Sequence, residues 1–171
     1  MTVAPENPFW DFSLAIYARD GVAPACLSLQ DRLAVDVNVL LYCCWIGSQH
    51  GTILDADMVN RLVGRVSDWK MRVVEPLRSV RRALKSNLEG VPNEGREALR
   101  SDVKRLELQA ERLEQDMLVN ALEIPSKQAR DDLDGRSCAR HNIDCYLVGL
   151  GIEMDPITGT DTNRILDAVF S

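Results

Sequence analysis

An all-α bundle built around a long, Pro-kinked antiparallel helical hairpin is the fold class this sequence predicts, on three observations. Apolar and polar residues nowhere alternate with the period of two that a half-buried strand requires. From Val59 to Leu84 the apolar positions Val59, Leu62, Val66, Trp69, Val73, Leu77, Val80 and Leu84 recur every three or four residues. From Leu99 to Met117 they follow a strict 4-3-4-3-4 spacing through Val103, Leu106, Ala110 and Leu113, nearly three heptads. The polar connector Glu89-Gly90-Val91-Pro92-Asn93-Glu94-Gly95 lies between the two seams, so they fold back on one another as a hairpin.

Each element has its own signals. The first helix opens at Asn7-Pro8, an N-cap followed by proline at N1, and runs to about Arg19 before Asp20-Gly21. Phe9, Trp10, Phe12, Leu14, Ile16 and Tyr17 make it apolar nearly all round, so it belongs to the core. A second helix starts near Pro24 and spaces Cys26, Leu29 and Leu33 by three and four. Asp36 caps a third, Val37 to Ile46, closing near Gly47 and Gly51; as the most apolar segment it should be central. Asp55 caps the first hairpin arm, in which Pro76 removes a backbone donor and predicts a bend or break, with a restart near Ser67-Asp68. Pro125 ends the second arm, and Ser126 to Arg136 reads as a polar linker. A helix from about Cys138 to Leu150 follows, then a turn holding Pro156 and Gly159. A terminal helix from Thr162 to Phe170, capped by Asp161 or Thr162, closes the chain. Seven helical segments result.

With 171 residues, 46% hydrophobic and 27% charged, the chain suits one globular domain over residues 1–171 rather than a disordered or fibrous protein. Its parts are the N-terminal core helices (1–52), the hairpin (55–123), and a linker with C-terminal helices (124–171). The N-terminus lacks a basic and then apolar secretory pattern, and the longest apolar run, Val39 to Ile46, is far short of a bilayer span. Five irregularly spaced cysteines, two of them adjacent (Cys43 and Cys44), argue against a disulfide framework. The expected location is the cytoplasm, with no membrane contact.

Charge is distributed unevenly. Arg61 to Lys85 holds eight cations (Arg61, Arg65, Lys70, Arg72, Arg78, Arg81, Arg82, Lys85) and two carboxylates, a local +6 inside a chain of net −6. On a helix Arg78, Arg81, Arg82 and Lys85 form one stripe, a candidate docking surface for an acidic protein partner. The competing reading is internal, since the facing arm carries Glu107, Glu111, Glu114 and Asp116. A sequence pI near 5.0 without interleaved aromatics disfavours nucleic acid.

A second candidate is a pocket for a small anionic ligand between helices. There Asp36 and Asn38 would orient the ligand, Arg72 would hold its anionic group, and Trp69 would line the wall. The simpler reading makes Asp36 an N-cap and Asn38 a buried amide paired internally. Cys138, His141 and Cys145 share a helix face but lack the paired knuckles of a zinc site, so no metal is expected. No phosphate loop, nucleophile elbow or His-Glu-x-x-His motif is present, so no catalytic residue and no cofactor is assigned. The heptad face of Leu99 to Met117 leaves open both a monomer and a homodimer.

Several motifs resemble a known family. Phe9-Trp10-x-Phe12-Ser13-Leu14 with Tyr17 is similar to the opening of a family of small proteobacterial proteins classed as a domain of unknown function. So are Ala25-Cys26-Leu27-x-Leu29-Gln30-Asp31, Asp36-Val37-Asn38-x-Leu40-Leu41, Trp69, and Val73-Val74-x-Pro76-Leu77-Arg78-x-x-Arg81-Arg82. The likeness spans about residues 9 to 118, with a weaker echo at Ala139-Arg140-x-Asn142-x-x-x-Tyr146-Leu147. It implies a compact all-helical cytoplasmic protein and singles out Asp36, Asn38, Trp69, Arg78, Arg81 and Arg82. Residues from about Met154 onward look outside the pattern.

Taken together, these features favour a non-enzymatic interaction or adaptor protein that uses Arg78, Arg81, Arg82 and Lys85 to hold its partner. The alternative is a small anionic-ligand-binding protein or an enzyme with an interhelical pocket around Asp36, Asn38 and Arg72.

Overall fold

The computed structural model describes residues 7–87, 89–123 and 133–171. It is all-α: α1 (Pro8–Tyr17), α2 (Val22–Leu33), α3 (Val37–Trp45), α4 (Ala56–Trp69), α5 (Glu75–Ala83), α6 (Asn93–Val119), α7 (Gly135–Gly149) and α8 (Pro156–Val169). Short polar side chains start most of these helices. Asn7, Asp36, Asp55, Asp134 and Asp155 each accept a hydrogen bond from a backbone N–H of the first turn, worth about 1 kcal/mol apiece. α2 differs: it begins after Gly21 and ends at Ala34, both left-handed, with Ala34 at φ 55. That second turn, strained for a residue with a Cβ, aims the chain at Asp36.

Pro76 neither breaks the first hairpin arm nor forces a restart near Ser67. α4 and α5 form one rod joined by a π-helical turn, Lys70–Val74, immediately before Pro76. Proline cannot donate to the carbonyl four residues back and crowds it; a locally widened turn absorbs both faults without ending the helix. A second π-helical turn, Ile46–His50, extends α3 and ends at left-handed Gly51.

Three contacts fix the hairpin as antiparallel. Arg96 donates to Leu84 O, Arg78 Nε to Glu107 Oε1 at 3.2 Å, and Trp69 Nε1 to Ala110 O at 2.9 Å. α3 is central, touching α1, α2, α6 and α7. Phe9, Leu29, Leu40, Tyr42, Leu62, Leu118, Tyr146 and Ile165 are fully buried in one core drawn from α1, α2, α3, α4, α6, α7 and α8. α7 crosses the Ile46–His50 turn so closely that a Cβ on Gly47 would lie 2.3 Å from Ala139 N.

The C-terminal helix corrects the sequence reading. α8 starts at Pro156, capped by Asp155, not at Thr162. Asp155-Pro156 repeats the Asn7-Pro8 device, and Gly159 sits inside the helix. α8 packs along α2, with Ser28 Oγ donating to Asp161 and Arg32 pairing with Asp155 at 3.4 Å. α7 likewise starts at Gly135, ahead of Cys138. The helix stop expected at Pro125 and most of the expected linker lie outside the described residues.

Candidate functional site

The basic helix divides in two. Arg78, only 8% exposed, is gripped by Glu107, Glu111 and Glu75 at 2.9–3.2 Å. Arg81 also binds Glu107. Burial would push the Glu107 carboxyl up, but its hydrogen bonds and charge pairing with Arg81 and Arg78 hold it below the usual range. For Glu111 burial wins over Arg78, and the carboxyl is raised. Two of the four stripe residues are thereby consumed inside the hairpin. Arg82 keeps an exposed pair with Asp31 at 2.8 Å, and Lys85 is exposed.

Arg61, Arg65 and Arg72 stand differently: all are exposed, and none forms an ion pair among the described residues. With Trp69 they fall at i, i+4, i+8 and i+11, one face of the α4–π rod. Arg65 and Trp69 line an open groove of about 460 Å³ with Leu113, Met117, Asp116 and Asn120 of α6 and the turn after it. The sequence shows Arg61 and Arg65 only as two of eight cations in the basic stretch, since spacing alone does not say which cations meet carboxylates.

The motif Asp36-Val37-Asn38 anchors a separate, buried polar cluster. Asp36 Oδ1 caps α3 through Asn38 N (2.9 Å) and Val39 N, its Oδ2 takes Lys70 Nζ at 3.3 Å, and its own N–H donates to Tyr146 Oη at 2.9 Å. Asn38 Nδ2 donates to Glu114 Oε2 at 2.9 Å while its Oδ1 accepts from Gln115 Nε2 at 2.8 Å. Glu114 is 1% exposed, and its Oε1 has no donor. Burial, then the neighbouring Asp36 charge and a hydrogen bond to it, push the Glu114 carboxyl up to about 9. Burial and the Asp36 carboxylate thus favour the protonated form of Glu114, which has a hydrogen to donate where the carboxylate has none.

Chemically this is a buried carboxyl pair inside a helix junction, with Glu114 biased toward its neutral form. The two grooves described, the second lined by Asp55, Asp57, Asn60 and Arg61, touch neither Asp36 nor Asn38. Of the four residues named for the alternative pocket, Asp36 and Asn38 share the buried cluster, which Lys70 joins from beside Trp69. Asp36 and Asn38 are spent on internal partners, the Trp69 indole N–H on Ala110 O, and Arg72 faces outward. No group of three or more His, Cys, Asp or Glu side chains among the described residues could hold a metal. Cys26, Cys43, Cys44 and Cys145 are free thiols, and burial drives Cys26 up to about 12. No helix among the described residues is long and apolar enough to cross a membrane.

Gln115 escaped the sequence reading, as did the separation of Glu114 from Glu107 and Glu111; Lys70 was visible only as one of the basic helix's cations and Tyr146 only in the weaker family echo. Asn142, named in that same echo without a role, is fully buried: its Oδ1 accepts from Leu54 N at 2.7 Å and its Nδ2 donates to Cys43 O and Thr52 O.

In comparisons with known proteins, no curated protein and no solved structure matches the chain. Residues 8–118, from α1 through all but the last residue of α6, match a family described as proteins of unknown function, DUF2390. α7 and α8 lie beyond the matched part. The chain belongs to the DUF2390 family.

Proposed function

We propose that this is a non-enzymatic interaction protein that holds an acidic protein partner on the exposed arginine row Arg61, Arg65 and Arg72, with Arg82 and Lys85 further along the same rod. One observation carries the reading: these three arginines are exposed without ion pairs among the described residues, and the middle one, Arg65, lines a groove with Trp69, Leu113 and Met117. Cations flanking an apolar strip supply both halves of a recognition surface, charge for steering and register, apolar area for affinity. Arg78 and Arg81 then serve the hairpin rather than the partner. Free thiols support a reducing compartment, the cytoplasm, as the place of interaction.

The test is affinity capture with the full chain, comparing wild type with Arg61/Arg65/Arg72→Glu, both shown to be folded by thermal melting. A partner held by wild type, weakened by salt and lost by the variant supports the reading. Equal capture by both proteins overturns it.

A further inference from the structure

The seam predicted from Leu99 to Met117 is only half used inside the chain. Val103 and Ala110 are buried and Met117 is half-buried, whereas Leu99, Leu106 and Leu113 remain 52, 44 and 50% exposed. A straight α-helix drifts by about 20° per heptad, so leucines repeated at intervals of seven track the seam of a supercoiled partner helix. No described helix of this chain buries that stripe. On the rod beside it, Val80 is 47% exposed and adds apolar surface.

The stripe's two edges differ in charge, one carrying three arginines and the other two carboxylates and an amide. On the α4 side stand Arg61, Arg65 and Arg72. On the far side Asp102, Gln109 and Asp116 follow each leucine by three residues. Asp102 makes only an exposed pair with Arg105 at 3.5 Å, and Asp116 accepts one hydrogen bond from Asn7, so both carboxylates keep accepting capacity. Arg65 and Asp116 line the same groove and so sit at one level along the hairpin.

We propose that this face closes on a second copy of the chain, as a two-fold dimer whose hairpins run parallel. The inference rests on the reading of the arginine row as a docking surface and names its partner. A rotation axis along the helices lays the basic edge of each copy over the acidic edge of the other and packs the leucines in the middle. An axis across the helices would set like charge on like charge, and an isologous contact built that way repels itself. A chain of net −6 is itself an acidic protein, and its α6 edge is the complement that the arginine row requires.

Sedimentation and light scattering on the full chain test this. The expected species has twice the 19.1 kDa chain mass and loosens in high salt. Leu106→Glu should weaken association roughly tenfold or more, because it places an unpaired charge in the seam. Leu99→Glu provides a second variant should the first fail to fold. Arg65→Glu should weaken the dimer and Asp116→Arg in the same chain should restore it, a rescue available only when the two edges face each other. A dimer that persists with either leucine variant folded overturns the inference, as does failure of the charge-swap rescue. A wild-type monomer at every concentration also overturns it. If that monomer still captures an acidic protein through Arg61, Arg65 and Arg72, the proposed function survives alone; if it captures none, both fall.

Discussion

Arg78 and Glu107 meet across the α5–α6 interface at 3.2 Å with each residue more than nine-tenths buried. A desolvated pair of this kind contributes little net stability when intact, yet it is costly to break from one side. Arg78→Ala should cost about 3–5 kcal/mol in chemical denaturation, because it leaves Glu111 without its cation and Glu107 with Arg81 alone. Replacing Arg78 with Met and Glu107 with Leu together should recover a large part of that loss. Arg82→Ala, which removes only an exposed partner of Asp31, should cost less than about 1 kcal/mol. Equal costs at positions 78 and 82 would refute the division of the basic helix.

The buried acid at Glu114 has a pH signature. Its carboxyl is raised from 4.5 to about 9 in the folded chain, so the folded state holds a proton that the unfolded state releases. The stability it contributes is fully present below the unfolded value and falls as pH rises through the window up to about 9. Within that window the folded chain holds up to one proton more than the unfolded one, which sets the sign of the slope. Glu114→Gln keeps a donor for Asp36 and an acceptor for Asn38 but cannot ionise. Unfolding free energies at mildly acidic and mildly alkaline pH should diverge between the proteins, the variant losing less. Parallel profiles would show that Glu114 is not the proton holder. Glu107 acts in the opposite sense: its lowered carboxyl supports the fold above the unfolded value, and that support is lost as pH falls through the folded one.

Gly47 and Gly64 make a paired test of packing. A Cβ at position 47 would meet the Ala139 backbone at 2.3–2.4 Å, so Gly47→Ala must push α7 away and should cost about 3 kcal/mol or more. Gly64 lies in α4 with nothing within 4 Å of the added carbon, and Gly64→Ala should stabilise by about 0.4–1 kcal/mol. Melting temperatures moving in opposite directions would confirm both; a neutral Gly47→Ala would mean that α7 is not held against the Ile46–His50 turn.

Much of this architecture was legible where one residue carries one signal. Asn7, Asp36 and Asp55 announce three helix starts, and the spacing from Val59 to Leu84 announces a helical arm. The same logic failed at Asp155-Pro156, because Gly159 three residues later suggested a turn, while burial of Thr158 and Thr162 against the bundle holds the helix. π-helical turns carry no spacing signal of their own; Pro76 marked the strain but not its remedy. At the site, Glu107, Glu111 and Glu114 fall at i, i+4 and i+7 on one face of α6, so their pattern is uniform. Only tertiary placement gives Arg78 to the first two and Asp36 with Asn38 to the third. Leu99, Leu106 and Leu113 are a similar case: the heptad was visible, but not that the hairpin fills just one side of it.

The arginines of one helix doing two separate jobs is the claim most open to direct measurement. Stability and association should be determined in parallel for Arg78→Ala and for Arg61/Arg65/Arg72→Glu. The expected result is a double dissociation: the first loses stability, and the second keeps its melting temperature while losing association. An Arg78→Ala protein as stable as wild type, or an Arg61/Arg65/Arg72→Glu protein that associates undiminished, would contradict it.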